Sequence, residues 1–144
     1  MTESQTRVAL AFTYAGILPP WLALALHLTL QLPLAALAAL LYGAIIASFV
    51  CGMHWGLFMQ ARQPVPINLL ITSNVGALAA WVMALVSIWS LPLAFIGLAV
   101  LLGALLAIDR RLLSAKLIDP WFWALRRNAS LGLGGGLALW SLCS

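Results

Sequence analysis

Residues 33–59 read PLAALAALLYGAIIASFVCGMHWGLFM, and this stretch contains no Asp, Glu, Lys or Arg. A helix that crosses the hydrocarbon core of a bilayer needs about 20 consecutive, mostly apolar residues, because that core is about 30 Å thick. The stretch therefore predicts one membrane-spanning α-helix. Pro33 suits the first turn of such a helix, where its missing N–H costs nothing.

Further apolar stretches lie on both sides of this one. Together they predict a single domain over residues 1–144, an all-α integral membrane protein with five transmembrane helices. The predicted spans are residues 8–30, 33–59, 67–89, 92–108 and 120–143. Pro19 and Pro20 fall inside the first span, where proline kinks a helix and the freed backbone groups need other partners. The fifth span is the shortest in apolar length, because only its part after Arg127 is free of charge.

The composition excludes an ordinary soluble domain. Apolar residues make up 65% of the chain, charged residues 7%, and the mean hydropathy is +1.09, whereas soluble domains carry roughly 25% charged residues. The spans leave no room for a separate catalytic domain. The net charge of +4 does not indicate nucleic-acid binding, because the basic residues lie beside apolar spans, where they meet anionic lipid headgroups.

The basic residues define a topology. They lie before the first span, between the second and third, and between the fourth and fifth, as Arg7, Arg62, Arg110, Arg111, Lys116, Arg126 and Arg127. With five crossings, these places share one face of the membrane, which the positive-inside rule assigns to the cytoplasm or its organellar equivalent. The sequence thus predicts that the N-terminus is inside and the C-terminus outside.

A basic cytoplasmic segment is predicted over residues 109–127. Its alternation of leucines with Arg and Lys is typical of a stretch that lies along the interface or extends the fourth helix beyond it. Asp119 and Pro120 predict a helix start, with the carboxylate as N-cap acceptor and the proline at the first helical position. Trp121 and Trp123 are then expected at headgroup depth.

The second span carries two special faces. Ser48, Gly52 and Gly56 repeat every four residues, a spacing that lets another helix approach closely. His54 lies on roughly the opposite face, and an ionisable residue inside a span is costly and usually faces the bundle interior. Three roles stay open for His54: a proton carrier, a haem or metal ligand, or a neutral imidazole that is hydrogen-bonded to a facing helix.

One set of polar residues is predicted to gather in the cytoplasmic half of the bundle. Asp109 is expected at the depth of His54, and its plain partner is a neighbouring arginine. Asn68 and Asn74 are expected to face other helices and hydrogen-bond there, because amides in lipid are unfavourable. The candidate functional cluster is His54, Asn68, Asn74, Asp109, Arg110, Trp121 and Arg126.

The sequence identifies no cofactor and predicts no metal site. Cys51 and His54 are three residues apart, but two ligands alone are insufficient for zinc or copper. His27 is predicted near the opposite membrane face, which disfavours a haem held by both histidines. No nucleophile triad, phosphate loop or zinc-protease motif is present, and the pattern therefore favours a non-enzymatic protein.

Several short motifs resemble one known family. They are Gly16-Ile17-Leu18-Pro19, Tyr42-Gly43, Ser48-Phe49, Gly52-Met53-His54-Trp55-Gly56, Asp109-Arg110-Arg111, Pro120-Trp121-Phe122 and Leu125-Arg126. Their order and spacing resemble an uncharacterised family of small bacterial inner-membrane proteins, domain of unknown function 3429, which includes the mitochondrial transmembrane protein 69. The resemblance implies a five-helix protein of the bacterial inner (cytoplasmic) membrane or of the mitochondrial inner membrane, and supplies no activity; the bacterial inner membrane is the location we expect. Phe122 stands where the family usually has Tyr, which removes a phenolic hydroxyl.

Three functions remain open. The first is a non-enzymatic accessory or assembly factor for a membrane complex, with membrane lipids, a membrane-protein partner or a second copy as its contacts. The second is a proton-coupled or small-solute transporter that uses His54 and Asp109. The third is a quinone-, haem- or lipid-binding membrane protein built around His54 and the tryptophans.

Overall fold

The computed structural model describes residues 3–61 and 64–144. Within these residues the chain is all helical, as predicted. The helices are α1 (Glu3–Ala15), α2 (Leu18–Leu30), α3 (Ala35–Gln60), α4 (Leu69–Val86), α5 (Leu91–Ser114) and α6 (Pro120–Cys143). Arg62, which the topology argument places on the basic face, lies outside the described residues.

The first predicted span is two helices rather than one kinked helix. Helix α1 ends at Ala15, and Pro19 and Pro20 lie in the first turn of α2. Because Pro20 has no N–H, the Gly16 carbonyl four residues earlier cannot receive a helical hydrogen bond. The Tyr42 hydroxyl of α3 donates to that carbonyl at 2.7 Å. A side chain of a neighbouring helix thus satisfies the group that the proline leaves free.

The basic segment joins α5 to α6, and the structure decides between the two arrangements that the sequence left open for it. Helix α5 continues to Ser114, so the basic segment extends this helix before the chain turns at Lys116, which has a φ of 57°. Helix α6 begins at Pro120, as predicted, but the Asp119 side chain makes no capping hydrogen bond. The prediction of a carboxylate cap was therefore wrong, and the fixed φ of Pro120 is the remaining local reason for the start.

Helix α3 lies at the centre of the bundle, where it packs against α2, α4, α5 and α6. Its core face carries small residues such as Ala39 and Ala47, which let neighbouring helices approach closely. Two glycines also allow close helix contacts. A Cβ on Gly43 of α3 would meet the Leu137 side chain at 3.0 Å, and one on Gly76 of α4 would meet Cys51 Sγ at 2.7 Å.

The predicted packing stripe of Ser48, Gly52 and Gly56 is not used within the chain. A Cβ on Gly52 or Gly56 would meet nothing within 4 Å in the described part of the structure. The reason is the orientation of α3, which turns its opposite face, with Val50, Cys51 and His54, toward the core.

Four helical stretches are long and apolar enough to cross a membrane: Glu3–Leu30, Ala35–Gln60, Leu69–Val86 and Leu91–Ser114. Helix α6 has 24 residues, which corresponds to about 36 Å. It falls outside this set because Arg126, Arg127 and Asn128 lower its hydropathy, as does the glycine run at 134–136. The fifth crossing therefore stays a prediction.

Candidate functional site

Three of the predicted site residues meet inside the bundle, each supplied by a different helix. His54 projects from α3, Asp109 from α5 and Arg126 from α6. The His54 Nε2 lies 2.8 Å from Asp109 Oδ1, and the Arg126 Nε–H donates to Asp109 Oδ2 at 3.1 Å. We call these three residues the buried triad. The predicted convergence of His54 and Asp109 is confirmed.

The triad is buried in the bundle, most completely at His54 and Asp109. His54 and Asp109 are each 1% exposed and Arg126 is 8% exposed. Because the carboxylate accepts, the Nε2 of His54 carries the proton in the contact with Asp109. Each carboxylate oxygen therefore has a donor from a different helix, which is the condition under which a buried charge is tolerated.

Two nitrogens of the triad have no hydrogen-bond partner within residues 3–61 and 64–144. They are His54 Nδ1 and Arg126 Nη2. Nη2 lies 3.1 Å from Asp109 Oδ2 and forms an ion pair with it, but this contact does not have hydrogen-bond geometry. Both Nε and Nη2 thus approach a single carboxylate oxygen, and the guanidinium, which has five N–H groups, keeps donor capacity that Asp109 does not use.

The remaining cluster residues lie apart from the triad. Asn68 and Asn74 are both exposed, and the prediction that they bond to other helices was wrong. Asn68 Oδ1 accepts from Ile71 N and caps α4. The Asn74 Nδ2 donates to the Leu70 carbonyl of its own helix at 2.7 Å. Short amide side chains often bond to nearby backbone in this way, and neither residue then needs a facing helix.

Arg110 and Trp121 also lie outside the triad. Arg110 is exposed, because a step of about 100° along α5 turns it away from the face that carries Asp109. The expected pairing of Asp109 with an arginine is found, and the partner is Arg126 of α6 rather than Arg110. Trp121 is 38% exposed and meets Phe122 edge to face at 5.9 Å between ring centroids.

A cavity of about 300 Å³ opens beside the triad. Helix α1 with the break at Gly16 and Ile17, one face of α3 and one face of α6 form its walls. Most of the lining is apolar, with Phe12, Ile46 and Phe49 among the larger side chains. Arg126 contributes the only charged side chain among the described residues of the lining.

Two hydroxyl groups accompany Arg126 in the cavity lining, and the sequence analysis missed both. Ser130 lies four residues after Arg126, hence on the same face of α6, and Thr13 faces it from α1. The spacing of Arg126 and Ser130 could have indicated Ser130. Thr13 could not have been found from spacing, because its place depends on how α1 packs.

The other candidate ligands are separate from the triad. Cys51 is buried and free, and Cys143 is exposed and free. The His27 Nδ1 lies 3.2 Å from the Leu32 carbonyl, and the ring is 5.3 Å from that of Trp140. Among the described residues no group of three His, Cys, Asp or Glu side chains could hold a metal ion.

These features define a class: an apolar helical bundle of the multi-pass membrane type, with a charged triad inside it. The chain belongs to the family described as protein of unknown function DUF3429, whose model matches residues 5–142. That match confirms the resemblance to the family. The predicted link to the mitochondrial transmembrane protein 69 is not tested by this match. No curated protein and no solved structure matches the chain.

Proposed function

We propose that the protein crosses the bacterial inner membrane five times, with the N-terminus inside and the C-terminus outside. The register of α6 supports the fifth crossing. Asn128 Nδ2 donates to the Tyr14 hydroxyl at 3.1 Å, and twelve residues later the Trp140 ring lies 5.3 Å from the His27 ring between centroids, tilted by 45°. Helix α6 thus runs beside the whole α1–α2 span in the same direction.

The low hydropathy of α6 does not oppose this topology. A hydropathy sum counts Arg126 as a free charge, whereas its guanidinium is paired with Asp109 inside the bundle. Paired charges that face the bundle interior are the form in which membrane spans contain ionisable residues. Arg127 lies one step further round the helix and is exposed, close enough to the cytoplasmic end for its long side chain to reach the headgroups.

Reporter fusions test this topology. A fusion after Ser144 is expected to show external activity for alkaline phosphatase and none for a fluorescent protein that folds only in the cytoplasm. A fusion at Lys116, in the turn between α5 and α6, is expected to show the reverse. Cytoplasmic activity at both positions would mean that α6 does not cross.

We further propose that the protein binds a lipid-soluble small molecule in the cavity beside the triad. One observation carries this proposal: Arg126, which hydrogen-bonds through only one of its five N–H groups within the described residues, lines a mostly apolar cavity of about 300 Å³. Small-molecule sites are typically cavities of about this size or larger, with apolar walls and a few polar groups that orient the ligand. The cavity lies in the cytoplasmic half of the proposed topology, where a ligand reaches it from the bilayer.

Binding fits the geometry better than transport does. A transporter that uses His54 and Asp109 needs water to reach both residues, whereas each is 1% exposed.

The outward stripe of Ser48, Gly52 and Gly56 supports the accessory role as a second candidate, because it leaves open space for a helix of another protein. Co-purification of a stable protein partner that Gly52→Leu abolishes would favour that role.

Filling the cavity tests the binding function. Ala129→Phe places a ring in the cavity lining, and we expect the purified variant to lose most of the apolar small molecule that organic extraction and mass spectrometry recover from the wild-type protein. Ala138→Phe is the matched control, since Ala138 is exposed on the same helix. Equal recovery from both variants, or none from the wild type, would refute binding in this cavity.

A further inference from the structure

The polar groups of the cavity determine what kind of head the ligand carries. Arg126 lines the cavity, and of its five N–H groups only the Nε–H makes a hydrogen bond in the described part of the chain, to Asp109 Oδ2. The Ser130 hydroxyl lies one turn further along the same face of α6 and lines the same cavity. Arginine has no acceptor, so a group that completes its hydrogen bonding must be an acceptor. An acceptor at this place would lie within reach of both side chains.

The charge balance of the triad selects among acceptors. Asp109 already supplies a full negative charge to Arg126, and His54 donates to the same carboxylate. A second carboxylate in the cavity would add a charge that no further cation balances among the described lining residues. Burying an unbalanced charge in apolar surroundings is far more costly than burying a neutral acceptor that is hydrogen-bonded. The balance therefore favours an uncharged oxygen.

We propose that the ligand is a neutral lipid-soluble molecule whose carbonyl oxygen accepts hydrogen bonds from Arg126 and Ser130, while its apolar body lies against Phe12, Ile46 and Phe49. This inference rests on the proposed binding function. Its chemistry is common to two sources in a membrane, a quinone ring and the ester carbonyl of a neutral glycerolipid. A cavity of about 300 Å³ holds the head and the first part of a chain, and the remainder extends into the bilayer.

Four probes with comparable apolar chains test the head chemistry. They are 2-decyl-1,4-benzoquinone, dioctanoylglycerol, 4-decylbenzoate and decylbenzene, each titrated by equilibrium dialysis against the full-length protein in lipid nanodiscs, with empty nanodiscs as background. The two neutral carbonyl probes are the quinone and dioctanoylglycerol. We expect at least one of them to bind about tenfold or more tightly than decylbenzene, and the charged benzoate to show no such gain. The stronger of the two carbonyl probes identifies the source.

Two variants locate the contact. Ser130→Ala leaves the triad intact, and we expect it to weaken the carbonyl probe about threefold or more without changing decylbenzene. Arg126→Lys keeps the positive charge beside Asp109 but loses the planar group with its second nitrogen, and we expect the carbonyl preference to disappear. If the lysine variant does not fold, Ser130→Ala and the wild-type probe series still decide the question.

The outcomes separate this inference from the binding function on which it rests. Equal binding of decylbenzene and the carbonyl probes would refute the carbonyl contact and leave a plain apolar site. If 4-decylbenzoate bound more tightly than the two neutral carbonyl probes, the inference that the acceptor is uncharged would be wrong. If no probe binds above the nanodisc background, both the carbonyl inference and the proposed binding function are wrong.

Discussion

Asp109→Leu is expected to lower the free energy of unfolding by about 3–5 kcal/mol, the usual cost of breaking a buried ion pair from one side. The carboxylate accepts from His54 of α3 and from Arg126 of α6. Without it, the Arg126 guanidinium is left as a buried charge with no counter-charge, and three helices lose their common contact. Unfolding in mixed micelles with increasing dodecyl sulfate measures the change.

The neighbouring residue supplies the control for this prediction. Arg110 is exposed on the same helix, and Arg110→Leu is expected to change stability by less than about 0.5 kcal/mol. The double variant Asp109→Leu with Arg126→Met removes both charges and should recover most of the loss, because an apolar pair of similar volume can replace a buried ion pair. Wild-type stability of Asp109→Leu alone would refute the stabilising role of the triad.

The sequence predicted the helices well because length and apolar composition are local properties. Helix α3 begins two residues after the predicted start at Pro33 and ends one residue beyond Met59. In the first span the sequence predicted a kink at Pro19 and Pro20, since proline acts on its own helix, whereas the structure has a break between two helices at Gly16 and Ile17. The hydrogen bond from the Tyr42 hydroxyl to the Gly16 carbonyl could not be predicted, because Tyr42 belongs to another helix.

The site was predicted only in part, because side-chain partners depend on how helices are rotated against each other. His54 and Asp109 were placed together correctly from their shared depth. The choice of Arg126 over Arg110 as the partner of Asp109 depends on which face of α5 meets α6. The same cause explains the outward position of Gly52, since spacing alone does not tell which stripe of a helix faces its neighbours.

Trp140 shows how packing stabilises the end of the bundle away from the triad, where no ion pair is found among the described residues. Its side chain is 0% exposed and stacks on Phe95 with 5.6 Å between ring centroids. Its Nε1–H donates to the Pro20 carbonyl at 2.9 Å. One residue thus joins α6 to both α5 and α2, and holds the C-terminal half of α6 beside the first span.

Trp140→Ala is therefore expected to lower the free energy of unfolding by about 3 kcal/mol, the low end of the range for Trp→Ala in protein cores. The lower value applies because the unfolded chain keeps its spans in lipid, so lost packing rather than transfer to water sets the cost. Trp140→Phe keeps the stacking and loses the N–H donor, and should cost about 1 kcal/mol. Trp89 is 79% exposed, so Trp89→Ala in the same micelle titration should be near neutral. If Trp140→Ala lowered the free energy of unfolding no more than Trp89→Ala does, the Trp140 contact would not hold α6 against the first span. The fifth crossing would then lose the support of that contact.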